Sequence, residues 1–387
     1  MPDGRDQLRL KLAEGIAAID AAAWNACAGE HNPFVCHAFL AALEEGRAVG
    51  KGTGWLSRPL LLEAPDGTLL GAVPLYVKSH SYGEYVFDHG WADAYERAGG
   101  SYYPKLLAAV PFTPVPGPRL LVRRGPEEQE NRRHLAEGLL AVTGQLGVSS
   151  LHVTFVTAED GAALAKAGFM RRVATQYHWQ NRGYAGFEDF LAALASRKRK
   201  MIRKERAAAA RDGLRLLRLT GADIKPAHWD SFFRFYIDTS ERKWGGAYLT
   251  RAFFHRIGET MADRILLVLA EHEGEPVAGA LNLIGRDTLY GRNWGSDGAF
   301  RFLHFEACYY QAIEFAIERG LAKVEAGAQG EHKIARGYLP VETASYHHAA
   351  DKRFAAAVAD FLKRERRAVE AERAALAEYS PFRREEG

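Results

Sequence analysis

Four features recur in the same order in the two halves of this 387-residue chain, and a sequence that echoes itself in this way constrains each half to the same folding unit. Residues 67–76 (Gly-Thr-Leu-Leu-Gly-Ala-Val-Pro-Leu-Tyr) and 274–283 (Gly-Glu-Pro-Val-Ala-Gly-Ala-Leu-Asn-Leu) both read as a hairpin turn entering a strand. Helices that end at Leu146-Gly147 and Arg319-Gly320 are each followed by a short apolar run, 151–156 and 321–326. Then come Gly168-Phe169-Met170 and Gly337-Tyr338-Leu339. Nine residues after each of those glycines stand Tyr177-His178 and Tyr346-His347.

Hydrophobic periodicity fills in the elements. The first half predicts helices near 14–27 and 37–46, strands near 59–64 and 69–78, and a long aromatic loop over 79–104. A strand at 105–110 runs into a proline-rich stretch, followed by a helix at 127–146, a strand at 150–156, a helix at 159–167 and a strand at 169–179. The second half predicts a helix at 187–212, a strand at 214–219, helices at 226–240 and 250–262, and strands at 264–272, 276–285 and 287–294. A helix at 303–319, a strand at 322–327, a short helix at 331–336, a strand at 339–348 and a closing helix at 351–378 complete it. Helices, then antiparallel strands, then a helix crossing to another strand make an α+β pattern rather than a doubly wound sheet. The boundary falls near 180–186, giving domains over 1–180 and 187–387.

Composition narrows the class. With 47% apolar and 26% charged residues, the chain is neither disordered nor fibrous. Fifty-one basic against 48 acidic residues do not mark a dedicated nucleic-acid binder. No apolar run reaches the ~18 residues of a membrane span, and the first residues lack the apolar centre of a signal peptide. Cys27, Cys36 and Cys308 cannot form a disulfide framework. These features read as a cytoplasmic, reduced protein.

Several stretches carry a resemblance. The basic run Ser196-Arg-Lys-Arg-Lys-Met-Ile-Arg-Lys-Glu-Arg206, closed by Asp212-Gly213, is similar to the Lys/Arg helix that opens the second domain of Fem-type peptidoglycan-bridge aminoacyltransferases. Pro74-Leu-Tyr-Val-Lys-Ser-His-Ser-Tyr-Gly-Glu-Tyr-Val-Phe-Asp88, Tyr102-Tyr-Pro-Lys105, Pro111-Phe-Thr-Pro114, Glu241-Arg-Lys-Trp244 and Glu325-Ala-Gly-Ala-Gln-Gly-Glu-His-Lys333 resemble a group of Fem-like bacterial N-acyltransferases. The resemblance implies two tandem Gcn5-related N-acyltransferase domains, each a mixed, mostly antiparallel sheet flanked by helices. Its acyl donor would sit where two parallel strands splay apart, here 287–294 and 322–327. It also implies acyl-CoA or aminoacyl-tRNA as co-substrate, with no tightly bound cofactor, and an amine acceptor that is a small molecule or peptide. No heptad hairpin is inserted, so the coiled-coil arm of the Fem enzymes has no counterpart.

Two segments concentrate chemistry-bearing side chains. Within 78–105 lie seven aromatics and several charges, an apolar surface with polar tips that suits a polar ligand. Lys78, His80, Tyr82, Glu84, Tyr85, Asp88, Trp91, Tyr102, Tyr103 and Lys105 are its substrate-binding candidates; packing as a lid is the alternative. The segment 325–336 sits where a strand meets a helix. Transfer of an acyl group to an amine needs a base for the ammonium and donors for the oxyanion. Glu325, Glu331 and His332 are candidate bases, with Gln329, Lys333 and Arg336 as binding groups. Trp244, Arg292, Trp294 and Tyr310 are further candidates, and Arg199 and Arg203 are candidate phosphate ligands, with a solvated helix face as the alternative. The histidines lack metal-site spacing, so no metal is expected.

Three functions fit these residues. The first is an N-acyl- or aminoacyltransferase acting by direct attack, with tRNA as a partner. The second is an acetyl-CoA-dependent acetyltransferase with one decayed domain, although the Gln/Arg-x-x-Gly-x-Gly/Ala run that cradles pyrophosphate is missing. The third is non-catalytic recognition of a cell-wall precursor or peptide.

Overall fold

The computed structural model describes residues 7–211, 213–244, 246–298, 300–327 and 330–383, with the side chains of 211, 243 and 244 outside the description. The chain divides into two compact units: Met1–Ala174 with Thr343–Glu370, and Thr175–Glu342 with Ala371–Gly387.

The first unit holds two sheets. The smaller is antiparallel, with strands Arg9–Leu12, Leu60–Glu63, Leu69–Val73 and Leu121–Val122 in that order. The other runs from Trp55–Ser57 through Leu75–Lys78 and Lys105–Ala108 to Ser150–Val156, and residues 344–349 pair antiparallel with the last of these. Its parallel contact joins Leu106–Ala108 to Leu151–Val153, with the helix Glu128–Leu146 as the crossover. That helix ends on Gly147 in the left-handed region, φ 62°, as a C-terminal cap requires. Leu135, Leu139 and Val142 from the helix pack with Leu60, Val73, Leu106 and Leu151 in one core.

The second unit repeats the scheme. Leu214–Thr220, Ile265–His272, Glu275–Ile284 and Thr288–Ser296 pair antiparallel in succession, Thr288–Ser296 then meets Lys323–Glu325 in parallel, and residues 178–180 close that side. The crossover is Leu303–Glu318. Tyr309, Ile313 and Ala316 from it pack with Leu266, Val268, Leu289, Val324 and Trp179. This is the tandem Gcn5-related α+β fold that the resemblance implied.

Three expectations are revised. The domains are not consecutive halves: 175–180 belong to the second unit and 343–370 to the first. Each half's final strand completes the sheet of the other unit, and periodicity identifies a strand without naming its partner. The loop 79–104 contains a helix, His89–Arg97, whose Trp91 and Tyr95 face Tyr102, Phe354, Val358 and Leu362. The helix expected over 187–212 is two helices, Phe187–Ala193 and Ser196–Arg211, because Leu194 is extended and its neighbour Ala195 donates its N–H to the Pro381 carbonyl. Among the described residues no helix is long and apolar enough to cross a membrane.

Glycines test this packing. A Cβ on Gly295 would lie 2.3 Å from the Phe235 carbonyl carbon and oxygen, on the backbone of the helix Pro226–Trp244. Gly144 lies in an exposed helical turn with open space around it. Gly295→Ala is expected to destabilise the chain by about 1–3 kcal/mol through overpacking. Gly144→Ala should stabilise it by about 0.5–1 kcal/mol through helix propensity. Urea unfolding of both variants checks the pair.

Candidate active site

The second unit's parallel strands stay together for three residue pairs, Thr288–Lys323, Leu289–Val324 and Tyr290–Glu325. Lys323–Glu325 then ends, while its partner continues to Ser296. A bulge against Glu275–Ile284 leaves Arg292 as the extra residue, since Leu281 faces Asn293 and Asn282 faces Gly291. Bulges re-aim side chains and commonly adjoin sites. The gap so opened is a cavity of about 80 Å³ lined by Gly291, Arg292, Trp294, His304, Tyr309 and Ala326, among others.

The helix over this gap is irregular. Leu303–Phe305 passes into a π-helical turn, Glu306–Tyr310, before regular helix resumes at Gln311. Such turns often mark sites. This one puts Tyr309 on the cavity wall, with its hydroxyl 3.0 Å from His332 Nε2. Burial, with smaller contributions from neighbouring charges, holds the Tyr309 phenol well above its ordinary range. Burial, then Arg336 and Lys333, holds the His332 imidazole below its usual value.

Side chains alternate along a strand. Val324 enters the core beneath the helix, so Glu325 points to the opposite face. There Glu325 is buried. Its Oε1 accepts a hydrogen bond from Lys323 Nζ at 2.8 Å, whereas Oε2 has no hydrogen-bond partner and lies 3.9 Å from His178 Nε2. Burial raises the Glu325 carboxyl, against the opposing charge of Lys323. Burial lowers His178 to about 3, so it is neutral.

The candidates of 325–336 therefore part company. His332 joins Tyr309, Glu325 faces the other side of the sheet, and Glu331 is exposed. Lys333 is buried with its Nζ 3.2 Å from the Gly327 carbonyl, and burial lowers it to about 8. Arg336 and Tyr310 are both engaged with buried Glu205, which accepts hydrogen bonds from Arg336 Nη2 at 2.6 Å and from the Tyr310 hydroxyl. Arg292 and Trp294 line the cavity. Arg203 is exposed and paired with Glu188, and Arg199 is half-buried on the same helix. Gln329 and the side chain of Trp244 lie outside the described residues. His178, Glu205 and Tyr309 were missed; only the Tyr-His echo pointed toward the first.

The first unit gathers the candidates of 78–105 into a buried charge cluster. Lys105 Nζ donates to Ser81 Oγ (2.7 Å), Glu84 Oε2 (2.8 Å) and Asp88 Oδ2. Lys78 Nζ lies 3.8 Å from Glu84 Oε1 and 3.7 Å above the Trp55 ring. The Tyr102 hydroxyl donates to Asp88 Oδ2 at 2.7 Å, and Tyr103 shares a hydrogen with Ser81. Burial would raise Asp88, but Lys105 and His152 outweigh it and hold the carboxyl well below its usual range. Burial raises Glu84 to about 7 and lowers Lys78 to about 7. Trp91 and Tyr102 are core residues, Tyr85 is half-buried, and Tyr82 is exposed beside half-buried His80.

Beside this cluster His152 and His347 face each other, Nδ1 to Nδ1, at 2.7 Å. Burial lowers His152 to about 3 and His347 well below its ordinary value.

Residues 15–384 match the profile of a family described as FemAB-like, peptidoglycan biosynthesis/recognition. The chain belongs to the FemAB-like family. Solved structures share its fold. FemX matches with a TM-score of 0.54 and 13% identity over 86% of this chain and 96% of its own. L-PGS from Bacillus licheniformis matches at 0.51 and 12% over 87% and 97%. A Bacteroides thetaiotaomicron protein of unknown function matches at 0.51 and 12% over 89% and 100%. No curated protein matches the sequence.

The histidine pair gives a pH dependence. Both imidazoles are held neutral in the folded chain, so the unfolded chain binds more protons below about pH 6.5 and stability falls on acidification. His152, held at about 3, contributes a loss of about 2 kcal/mol between pH 7 and 5, and His347 acts in the same direction. Glu84 has the opposite sign over this window, because its raised carboxyl takes a proton in the folded state first. The difference between variants isolates the histidines: urea midpoints at pH 7 and 5 should converge in His347→Gln relative to the parent chain.

Proposed function

We propose that this protein is an N-acyl- or aminoacyltransferase that moves an acyl group from an activated ester or thioester to a primary amine by direct attack, in the splay of its second unit. The observation that carries the reading is the cavity where the strands part, with Tyr309 on its wall bonded to His332. The chemistry needs a slot for the acyl carbonyl, an acid for the leaving atom and a base for the ammonium. Gly291, Arg292 and Trp294 line that slot. Tyr309, kept protonated by burial, donates its proton to the leaving oxygen or sulfur, and His332 lies within reach to restore it. Glu325 takes the ammonium proton on the opposite face. Its raised carboxyl makes it a stronger base, and Oε2 is without a hydrogen-bond partner.

Aminoacyl-tRNA is the donor this reading favours over acyl-CoA. Coenzyme A acyltransferases hold pyrophosphate on free N–H groups of the helix after the splayed strand. In this chain the Leu303 and Phe305 N–H groups already donate to the Phe300 and Phe302 carbonyls. The buried Glu306 carboxylate lies in the next turn, paired with Arg206. The family description favours a cell-wall precursor peptide as the amine acceptor.

The test is transfer to an amine-bearing precursor peptide from charged tRNA and, separately, from acetyl-CoA. Tyr309→Phe and Glu325→Gln should each lower kcat by about 10²-fold or more, while exposed Glu331→Gln leaves it unchanged. Full transfer in both folded variants contradicts the reading. Transfer from acetyl-CoA alone would instead support the acetyltransferase alternative, and binding without product from either donor would support recognition.

A further inference from the structure

His332 is exposed, yet its ring is fixed from several directions. A Cβ on Gly330, which has φ 107°, would lie 2.5 Å from the ring, so the imidazole rests on bare backbone. The Phe305 ring is centred 5.6 Å away, and the Tyr309 hydroxyl meets Nε2. The His332 carbonyl accepts a hydrogen bond from Arg336 Nη1 at 2.7 Å. The same guanidinium lies 3.5 Å from the centre of the Phe305 ring. Arg336 therefore holds His332 twice, through its carbonyl and through the ring beside it.

Arg336 is itself locked. Nη2 and Nε reach the two Glu205 oxygens at 2.6 and 3.2 Å, and Nε also reaches the Tyr310 hydroxyl at 3.1 Å. Both members of the pair are buried. A buried ion pair gives little net stability over an apolar replacement of equal volume, but its fork geometry specifies one arrangement. Tyr310 is adjacent to Tyr309 on the π-helical turn, so the pair is tied to both partners of the His332–Tyr309 hydrogen bond.

We infer that the buried Arg336–Glu205 pair is a positioning device that fixes His332 against Tyr309. Its use in transfer rests on the function proposed above; the positioning itself does not. The charged groups facing His332 are Arg336, Lys333 and Glu205, and the rings of Phe305, Tyr309 and His304 surround it.

The experiment is nitrogen-15 histidine NMR of the full chain, with the His332 signal assigned by its loss in His332→Gln. In the parent chain the His332 midpoint should lie below the ordinary histidine value of about 6.5, with a hydrogen-bonded Nε2 that disappears in Tyr309→Phe. Arg336→Gln should raise the midpoint by about half a unit or more and remove that hydrogen bond. Arg336→Lys, which keeps the charge, should hold the midpoint near the parent value. Glu205→Gln and Gly330→Ala should each weaken the Nε2 hydrogen bond. Arg206→Gln, which breaks the neighbouring pair with Glu306 and Glu314, should leave His332 unchanged. Where Arg336→Gln does not fold, Glu205→Gln carries the test. A His332 Nε2 hydrogen bond unchanged in folded Arg336→Gln or Glu205→Gln overturns the inference. A displaced His332 with unaltered kcat overturns the catalytic use of His332 and leaves the positioning standing.

Discussion

Three residue pairs, Thr288–Tyr290 against Lys323–Glu325, are the constraint on which the second unit's site depends. Backbone N–H and C=O groups demand partners. Where the short strand stops, the longer one runs on from Gly291 to Ser296 with a side that no strand covers among the described residues. The bulge at Arg292 widens the departure, and the π-helical turn brings Tyr309 over it. In the function proposed above, an acyl chain in this gap would have Tyr309 on one face of the sheet and Glu325 on the other.

The same constraint explains why the repeat was legible and the domain boundary was not. The apolar runs, the glycine caps at Gly147 and Gly320 and the strand over 150–156 follow from periodicity and local conformation, and the structure has them close to where the residues place them. The Tyr-His echo also has a structural meaning. His347 pairs with His152 and His178 with Glu325, so each histidine stands opposite the second strand of a parallel pair. What no local pattern encodes is that these final strands complete the other unit's sheet. That choice is made by long-range pairing, and a boundary drawn at a polar stretch near 180–186 misses it.

Legibility of the site follows the same division. Residues fixed by their own strand end, such as Glu325, or by the bulge, such as Arg292 and Trp294, could be nominated from sequence. Tyr309 could not, because helical spacing assigns it to the core and only the π-helical turn sets it at the cavity. Arg336 and Tyr310 looked like free polar groups until Glu205, 131 and 105 residues away in sequence, claimed them. In the first unit, the charges of 78–105 proved to satisfy one another. Two lysines and two carboxylates in one buried cluster are invisible to a reading that weighs each residue alone.

Hydrogen–deuterium exchange of the full chain, with and without saturating charged tRNA, tests the central claim most directly. The account predicts protection in peptides covering 289–296 and 304–310 on adding the charged tRNA, with little change on adding acetyl-CoA. Unchanged exchange across the splayed strands and the π-helical turn with every acyl donor, or protection confined to the first unit, would contradict it.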